Sequence, residues 1–130
     1  MGYRFPGEFE THEATWLSWP HNPATWPGKL KQIEPVYAQF AALISRDEAV
    51  HINVSNSDME AYAKKLILMQ SGVEEHLFFH YFPTNDAWCR DHGPCILVSN
   101  QNVQEPVEQL PSRVLLNWEY NAWGGKYPPF

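Results

Sequence analysis

The hydrophobic period of this chain switches repeatedly between two residues and 3.6, and that alternation restricts the fold more than any other property of the sequence. At Ala49 to Val54, Val50, Ile52 and Val54 alternate with His51 and Asn53, the pattern of a half-buried strand. Upstream, Leu30, Ile33, Val36, Tyr37, Phe40 and Ile44 recur at helical spacing. They predict an amphipathic helix over Lys29 to Arg46 with that stripe against the core, and Pro35 either delays its start to near Glu34 or kinks it. Downstream, Ser57 and Glu60 make a capping box, Met59, Tyr62, Ala63, Leu66, Ile67 and Met69 supply a second stripe, and Gly72 can end the helix. Ala14 to Trp19, Leu77 to Phe82, Cys95 to Ser99 and Arg113 to Trp118 read as strands. Asn100 to Asn102 can turn the chain, and the Pro-containing stretch Glu105 to Pro111 reads as a surface connection. The order β, α, β, α, β, loop, β, β predicts an α/β fold with helices packed on a mixed or largely parallel sheet. In such sheets ligands collect in loops beyond the strand ends.

A chain of 130 residues, 44% of them hydrophobic, fits one globular domain with a real core. The formal charge of −6 argues against general affinity for nucleic acid and favours cationic ligands. Cys89 and Cys95 are too few for a disulfide framework and too isolated for a four-ligand zinc site, so they read as reduced thiols. The first residues lack the basic and apolar regions of a signal peptide, and no window reaches the apolar length of a membrane span. A cytoplasmic protein with no membrane partner is the expectation. Gly124 to Phe130 consists of loop-forming residues directly after an aromatic segment, which reads as an interruption.

The segment Thr84 to Pro94, TNDAWCRDHGP, concentrates the chemistry. Pro83 and Gly93-Pro94 punctuate regular structure around it, so it reads as a loop between two strands. Asp91 offers two carboxylate oxygens at the spacing a guanidinium fork matches, and Gly93 lets the backbone turn sharply beside it. With equal weight, Asp91 pairs with Arg90 or caps a turn. Trp88 and Trp123 are either core residues or aromatic walls able to cover an alkyl chain and attract a cation. Cys89, Cys95 and His92 are the nearest approach to a nucleophile and base, but adjacency alone establishes neither a lowered thiol pKa nor a positioned base. Cys95, opening an apolar strand, is expected to be buried and inert. For a metal, His12 with His21 or His76 with His80 are the available pairs, the second at the four-residue spacing that suits ligands on a helix, although this segment reads as a strand. No phosphate-binding or dinucleotide motif is present.

Three motifs in order, PGEFETHEATWLSWPHNPATWPG at residues 6–28, TNDAWCRDHGP at 84–94 and NAWGGKY at 121–127, resemble the agmatine deiminases of the bacterial peptidyl-arginine deiminase family. The resemblance covers essentially the whole chain and only the N-terminal part of that family's domain. It implies a pentein, a fivefold pseudo-symmetric propeller of ββαβ modules, of which residues 1–130 would be the first modules. It also implies hydrolysis of agmatine to N-carbamoylputrescine and ammonia without a metal or organic cofactor, in putrescine and polyamine synthesis. In the family a cysteine thiolate attacks the guanidinium carbon, a histidine shuttles protons, and acidic residues hold the guanidinium nitrogens. Matched onto this sequence, Asp91 corresponds to the guanidinium-binding aspartate, Trp88 to a tryptophan lining the substrate pocket, and Trp123 to an aromatic residue near the alkyl chain. Asp86 and Arg90 read as supports of the loop through a salt bridge or hydrogen bonds, with His92 and Gly93 also in supporting positions. The nucleophilic cysteine and the catalytic histidine lie beyond Phe130, so the chain alone is expected to bind substrate without turning it over. Peptidyl-arginine as substrate, a non-catalytic binding module, and a homo-oligomer all remain open at this level.

Overall fold

The computed structural model describes residues 2–99 and 111–126. In chain order it contains β1 (Tyr3–Arg4), β2 (Ala14–Ser18), α1 (Leu30–Ile44), β3 (Ala49–Val54), α2 (Ser57–Met69), β4 (Leu77–Tyr81), α3 (Cys89–His92), β5 (Cys95–Ser99) and β6 (Arg113–Leu116). A 3-10 turn at Glu74–His76 precedes β4, and Ala122–Gly125 form a further turn. The chain divides into two compact units, one of residues 12–89 and one of residues 2–11 with 90–99 and 111–126.

In the first unit β2, β3 and β4 form a parallel sheet in that order, with Leu17 beside Ile52 and Ile52 beside Phe79. Parallel neighbours require crossover connections, and α1 and α2 supply them. The alternation along β3 places Val50, Ile52 and Val54 in the core, packed with Leu17, Trp19, Ala38, Ala41, Ala42, Ala63 and Ile67. The largely parallel sheet expected from the element order is this one; the remaining strands form a separate sheet.

The expected apolar stripe of α1 requires correction. Its buried residues are Ala38, Ala41 and Ala42, while Val36 and Phe40 are 58% and 49% exposed. Alanines let the helix backbone lie close to β3, where bulkier side chains would hold it away. Tyr37 and Ile44 do pack against the core. The helix starts at Leu30 and runs through Pro35, rather than beginning at Glu34.

Among the described residues the expected Ser57–Glu60 capping box is not formed, and the N-cap of α2 lies one residue earlier. Asn56, in extended backbone, is the N-cap and its Oδ1 accepts the Met59 amide at 2.9 Å, while Ser57 is already helical. At the other end the left-handed residue is Ser71 (φ 63°), not Gly72. The Ser71 amide donates to Leu68 O at 3.0 Å and the Gly72 amide to Ile67 O at 3.1 Å, a Schellman closure. Ser45 ties the end of α1 to the approach to β4. It is buried, its hydroxyl donates to Ala42 O at 2.8 Å and accepts the Val73 amide at 2.9 Å, and its carbonyl meets His76 Nδ1 at 2.7 Å.

The opposite face of this sheet carries a stacked array. Trp16 lies 4.7 Å from His51 and 4.8 Å from His80 between ring centroids, Phe78 stacks on His51, and His51 Nδ1 is 2.7 Å from His80 Nε2. Burial, then the neighbouring His80, holds the His51 imidazole below its ordinary value.

In the second unit β5 is central and antiparallel to both neighbours, with Tyr3 beside Ser99 and Cys95 beside Leu116. Two residues of β1 suffice because side chains anchor them: Tyr3 Oη donates to Pro111 O at 3.0 Å, and Arg4 makes a two-pronged pair with Glu10 at 2.6 and 2.7 Å. Cys95 is half-buried rather than fully enclosed. The expected strand to Trp118 ends at Leu116. The turn expected at Asn100 to Asn102 and most of the connection Glu105 to Pro111 lie outside the described residues. No helix among the described residues is long and apolar enough to cross a membrane.

Candidate functional site

The dense segment Thr84 to Pro94 is not loop throughout, because Cys89–His92 form the single helical turn α3. Its residues fall in both units, and each unit presents its own cluster.

In the unit of residues 12–89, the segment after β4 is tied to the segment after β2. Asn22 Nδ2 donates to Asn85 O at 3.1 Å, while Asn22 Oδ1 accepts the Ala24 amide at 2.9 Å. Trp26 stacks on Trp88 with centroids 6.1 Å apart and planes at 21°, leaving Trp88 49% exposed. The Trp26 indole N–H is buried without a hydrogen-bond partner among the described residues. Asp86 Oδ1 accepts the Ala87 amide at 2.7 Å, holding the backbone just before Trp88. Cys89 Sγ lies 3.0 Å from Ser18 Oγ, which also accepts from Asn53 Nδ2 at 3.1 Å. Burial pushes the Cys89 thiol up, so the thiolate needed for attack is disfavoured and the side chain serves as a packing group.

In the other unit, Asp91 is exposed and its Oδ1 accepts the Trp123 indole N–H at 3.3 Å. Tyr120 meets Trp123 edge-on at 5.6 Å and His92 edge-on at 6.3 Å. His92 Nε2 is buried without a hydrogen-bond partner among the described residues. Arg90, weighed above as a partner for Asp91 or Asp86, pairs with Glu8 at 2.8 Å. Gly93 occupies the bend between α3 and β5. Among the described residues no ion pair joins Asp91 to a basic side chain.

Trp123 sits in an unusual backbone. Ala122 (φ 48°), Trp123 (φ 56°), Gly124 (φ 83°) and Gly125 (φ 75°) form a left-handed turn. For residues with a side chain this conformation costs about 1–2 kcal/mol each. The Asn121 side chain accepts the Gly124 amide at 2.9 Å, its carbonyl accepts the Gly125 amide at 2.6 Å, and Ala122 is buried at 2% exposure.

Among the described residues no group of three histidine, cysteine or acidic side chains is placed to hold a metal ion. His12 faces Glu48 at 3.4 Å, His21 is bonded to Trp19 O, His76 to Ser45 O, and His80 belongs to the stacked array. Trp26, Asn22, Tyr120 and Asn121 carry no individual site role in the sequence reading. Trp26 and Asn22 lie in the quoted motif at 6–28 and Asn121 opens NAWGG, but only long-range contact shows what they touch.

The family described as Porphyromonas-type peptidyl-arginine deiminase matches residues 4–130. A provisionally named agmatine deiminase of Selenomonas ruminantium is 30% identical over 127 residues, covering 97% of this chain and 31% of that protein. One from Latilactobacillus sakei is 32% identical over 124 residues, 95% of this chain and 30% of that protein. This chain therefore spans about a third of the length of these curated relatives. Among solved structures, a provisionally named agmatine deiminase superimposes with a TM-score of 0.75 at 28% identity, over 99% of this chain and 33% of that one. The agmatine deiminase of C. jejuni with substrate bound gives a TM-score of 0.75 at 24% identity, over 97% and 32%, a likeness of fold. With its mixed α/β architecture and this match over nearly its whole length, the chain belongs to the Porphyromonas-type peptidyl-arginine deiminase family.

Proposed function

We propose that residues 1–130 are the N-terminal part of a pentein deiminase domain that hydrolyses agmatine to N-carbamoylputrescine and ammonia. The observation that carries this reading is Asp91: an exposed carboxylate, without a basic partner among the described residues, held beside the Trp123 indole. A planar guanidinium is the cation that matches such a carboxylate, and indole faces suit the alkyl chain behind it. Trp88, backed by Trp26, is proposed as a further aromatic contact for substrate. Asp86, Arg90, His92 and Gly93 are proposed as supports of these residues. The names of the relatives favour agmatine.

In the proposed chemistry a cysteine outside these residues attacks the guanidinium carbon as thiolate. Ammonia leaves after protonation by a histidine, also outside. Water then adds to the thiouronium intermediate and releases the carbamoyl product with the thiol restored. Asp91 holds the nitrogens of the guanidinium, and then of the thiouronium that replaces it, in a fixed orientation. The chain supplies the grip and not the attacking group. Placement in the cytoplasm and in putrescine synthesis follows from the same proposal.

Calorimetry with agmatine tests it. Asp91→Asn should weaken binding by about 1.5–3 kcal/mol, the loss expected for a hydrogen bond to a charged group. Ammonia release by the 130-residue chain should stay at background. Equal affinity in wild type and Asp91→Asn would remove Asp91 from the site, and turnover by the chain alone would show that it contains its own nucleophile.

A further inference from the structure

We infer that Asn121 is a positioning residue: its side chain holds residues 121–125 in the left-handed turn that sets the Trp123 indole N–H against the Asp91 carboxylate. The inference rests on the reading of Asp91 as the guanidinium-binding group. Four successive residues with φ between 48° and 83° are unfavourable for a chain of L-residues, and two of the four, Ala122 and Trp123, carry side chains. Such strain persists only where surrounding contacts over-determine it. Two of the turn's hydrogen bonds are backbone to backbone, Gly125 N to Asn121 O at 2.6 Å and Lys126 N to Ala122 O at 3.1 Å, and any residue at position 121 could make them. The bond from the Gly124 amide to Asn121 Oδ1 at 2.9 Å needs this side chain.

What the turn delivers is direction. With Trp123 at φ 56° and ψ 45°, its indole nitrogen lies 3.3 Å from Asp91 Oδ1, and the Tyr120 ring braces the indole edge-on. An N–H held on one carboxylate oxygen selects one orientation of the carboxyl group, and a guanidinium fork reads that orientation. Without the Asn121 acceptor the turn relaxes towards right-handed or extended backbone. The indole then leaves Asp91, and the carboxylate loses its preferred plane.

The protein made from its natural reading frame is compared as wild type and as Asp91→Asn, Asn121→Ala, Asn121→Asp and Gly124→Ala. Gly124→Ala is a clean second lesion, because a Cβ there meets nothing within 4 Å and only the positive φ opposes it. Agmatine affinity should fall roughly 3- to 10-fold in Asn121→Ala and Gly124→Ala, the loss of one neutral hydrogen bond. Asn121→Asp, which keeps an acceptor for the Gly124 amide, should recover most of it. In parallel, adding Asp91→Asn should shift the Trp123 indole N–H resonance in the wild-type and Asn121→Asp backgrounds and leave it in place in the Asn121→Ala and Gly124→Ala backgrounds. A merely structural role for Asn121 would leave that coupling in place. If Asp91→Asn binds normally, the reading of Asp91 fails and this inference with it. If Asp91→Asn binds weakly while Asn121→Ala and Gly124→Ala keep both affinity and coupling, the positioning role alone is overturned. An Asn121→Asp variant as defective as Asn121→Ala would also overturn it.

Discussion

Replacing Gly72 by alanine probes how closely the end of α2 is packed. A Cβ at that position would lie 2.6 Å from Ile67 Cγ2, 3.1 Å from Ile67 O and 3.4 Å from Ala42 Cα. The first distance is far inside contact, and Ile67 cannot yield: it is fully buried, and a β-branched side chain in a helix is held to one χ1 well. The carbonyl is equally constrained, since it accepts the Gly72 amide that closes the helix. Overpacking of this kind costs about 1–3 kcal/mol. Gly72 is not in the left-handed region, so alanine also brings about 0.4–1 kcal/mol of reduced unfolded-state entropy. The net destabilisation is therefore roughly 1–2 kcal/mol. In urea, at a slope of about 2 kcal/mol/M, the midpoint of the circular-dichroism transition falls by roughly 0.5–1 M. Ile67→Ala removes Cγ2 and by itself costs about 2–5 kcal/mol. In that background only the 3.1 Å contact with the Ile67 carbonyl and the 3.4 Å contact with Ala42 Cα remain, so the Gly72→Ala penalty should shrink, giving a coupling of about 1 kcal/mol. An undiminished Gly72→Ala penalty in the Ile67→Ala protein would refute the steric argument.

Two further outcomes follow from the same unit. Asn56→Ala should cost about 1 kcal/mol in urea unfolding and Ser57→Ala no more than about half of that, because the Met59 amide is capped by Asn56; equal losses would put the cap back at Ser57. The folded state resists protonation of His51, so its contribution to stability is fully present above the ordinary value of 6.5 and is lost as pH falls through the lower folded-state value. His80 is the titratable ring against it, and Trp16 and Phe78 are its uncharged stacking partners. His51→Gln should flatten the fall in melting temperature below that pH, and an unchanged slope would assign the effect to another group.

Helix and strand identity was legible along most of the chain because it is written in near neighbours. The alternation of Val50, Ile52 and Val54 names both a strand and its buried face, since side chains of a strand point alternately to opposite sides. Apolarity alone does not give the buried face of α1. Only tertiary packing shows that Ala38, Ala41 and Ala42 are the buried residues and that Val36 and Phe40 are left outside. The α2 cap was misplaced by one residue because Asn56 and Ser57 are both good caps, and the backbone angles choose between them.

For the candidate site, residue types in TNDAWCRDHGP pointed to Asp91 and Trp88, and the thiol of Cys89 reads differently once burial beside Ser18 is known. Nothing local announces that Trp26 stacks on Trp88 across 62 residues, or that Trp123 donates to Asp91 across 32. By itself, then, the sequence determined the types and most of the bounds of the longer elements and nominated the residues proposed to hold a cation, while the two-residue β1 and the single turn α3 carry no such signal, because propensity and periodicity act over a few residues. Tertiary structure alone decided how the strands divide into two sheets, which helix face is covered, and that Asn121 holds a left-handed turn under Trp123. Those outcomes depend on distances between segments far apart in the chain, where packing and hydrogen bonding outweigh local preference.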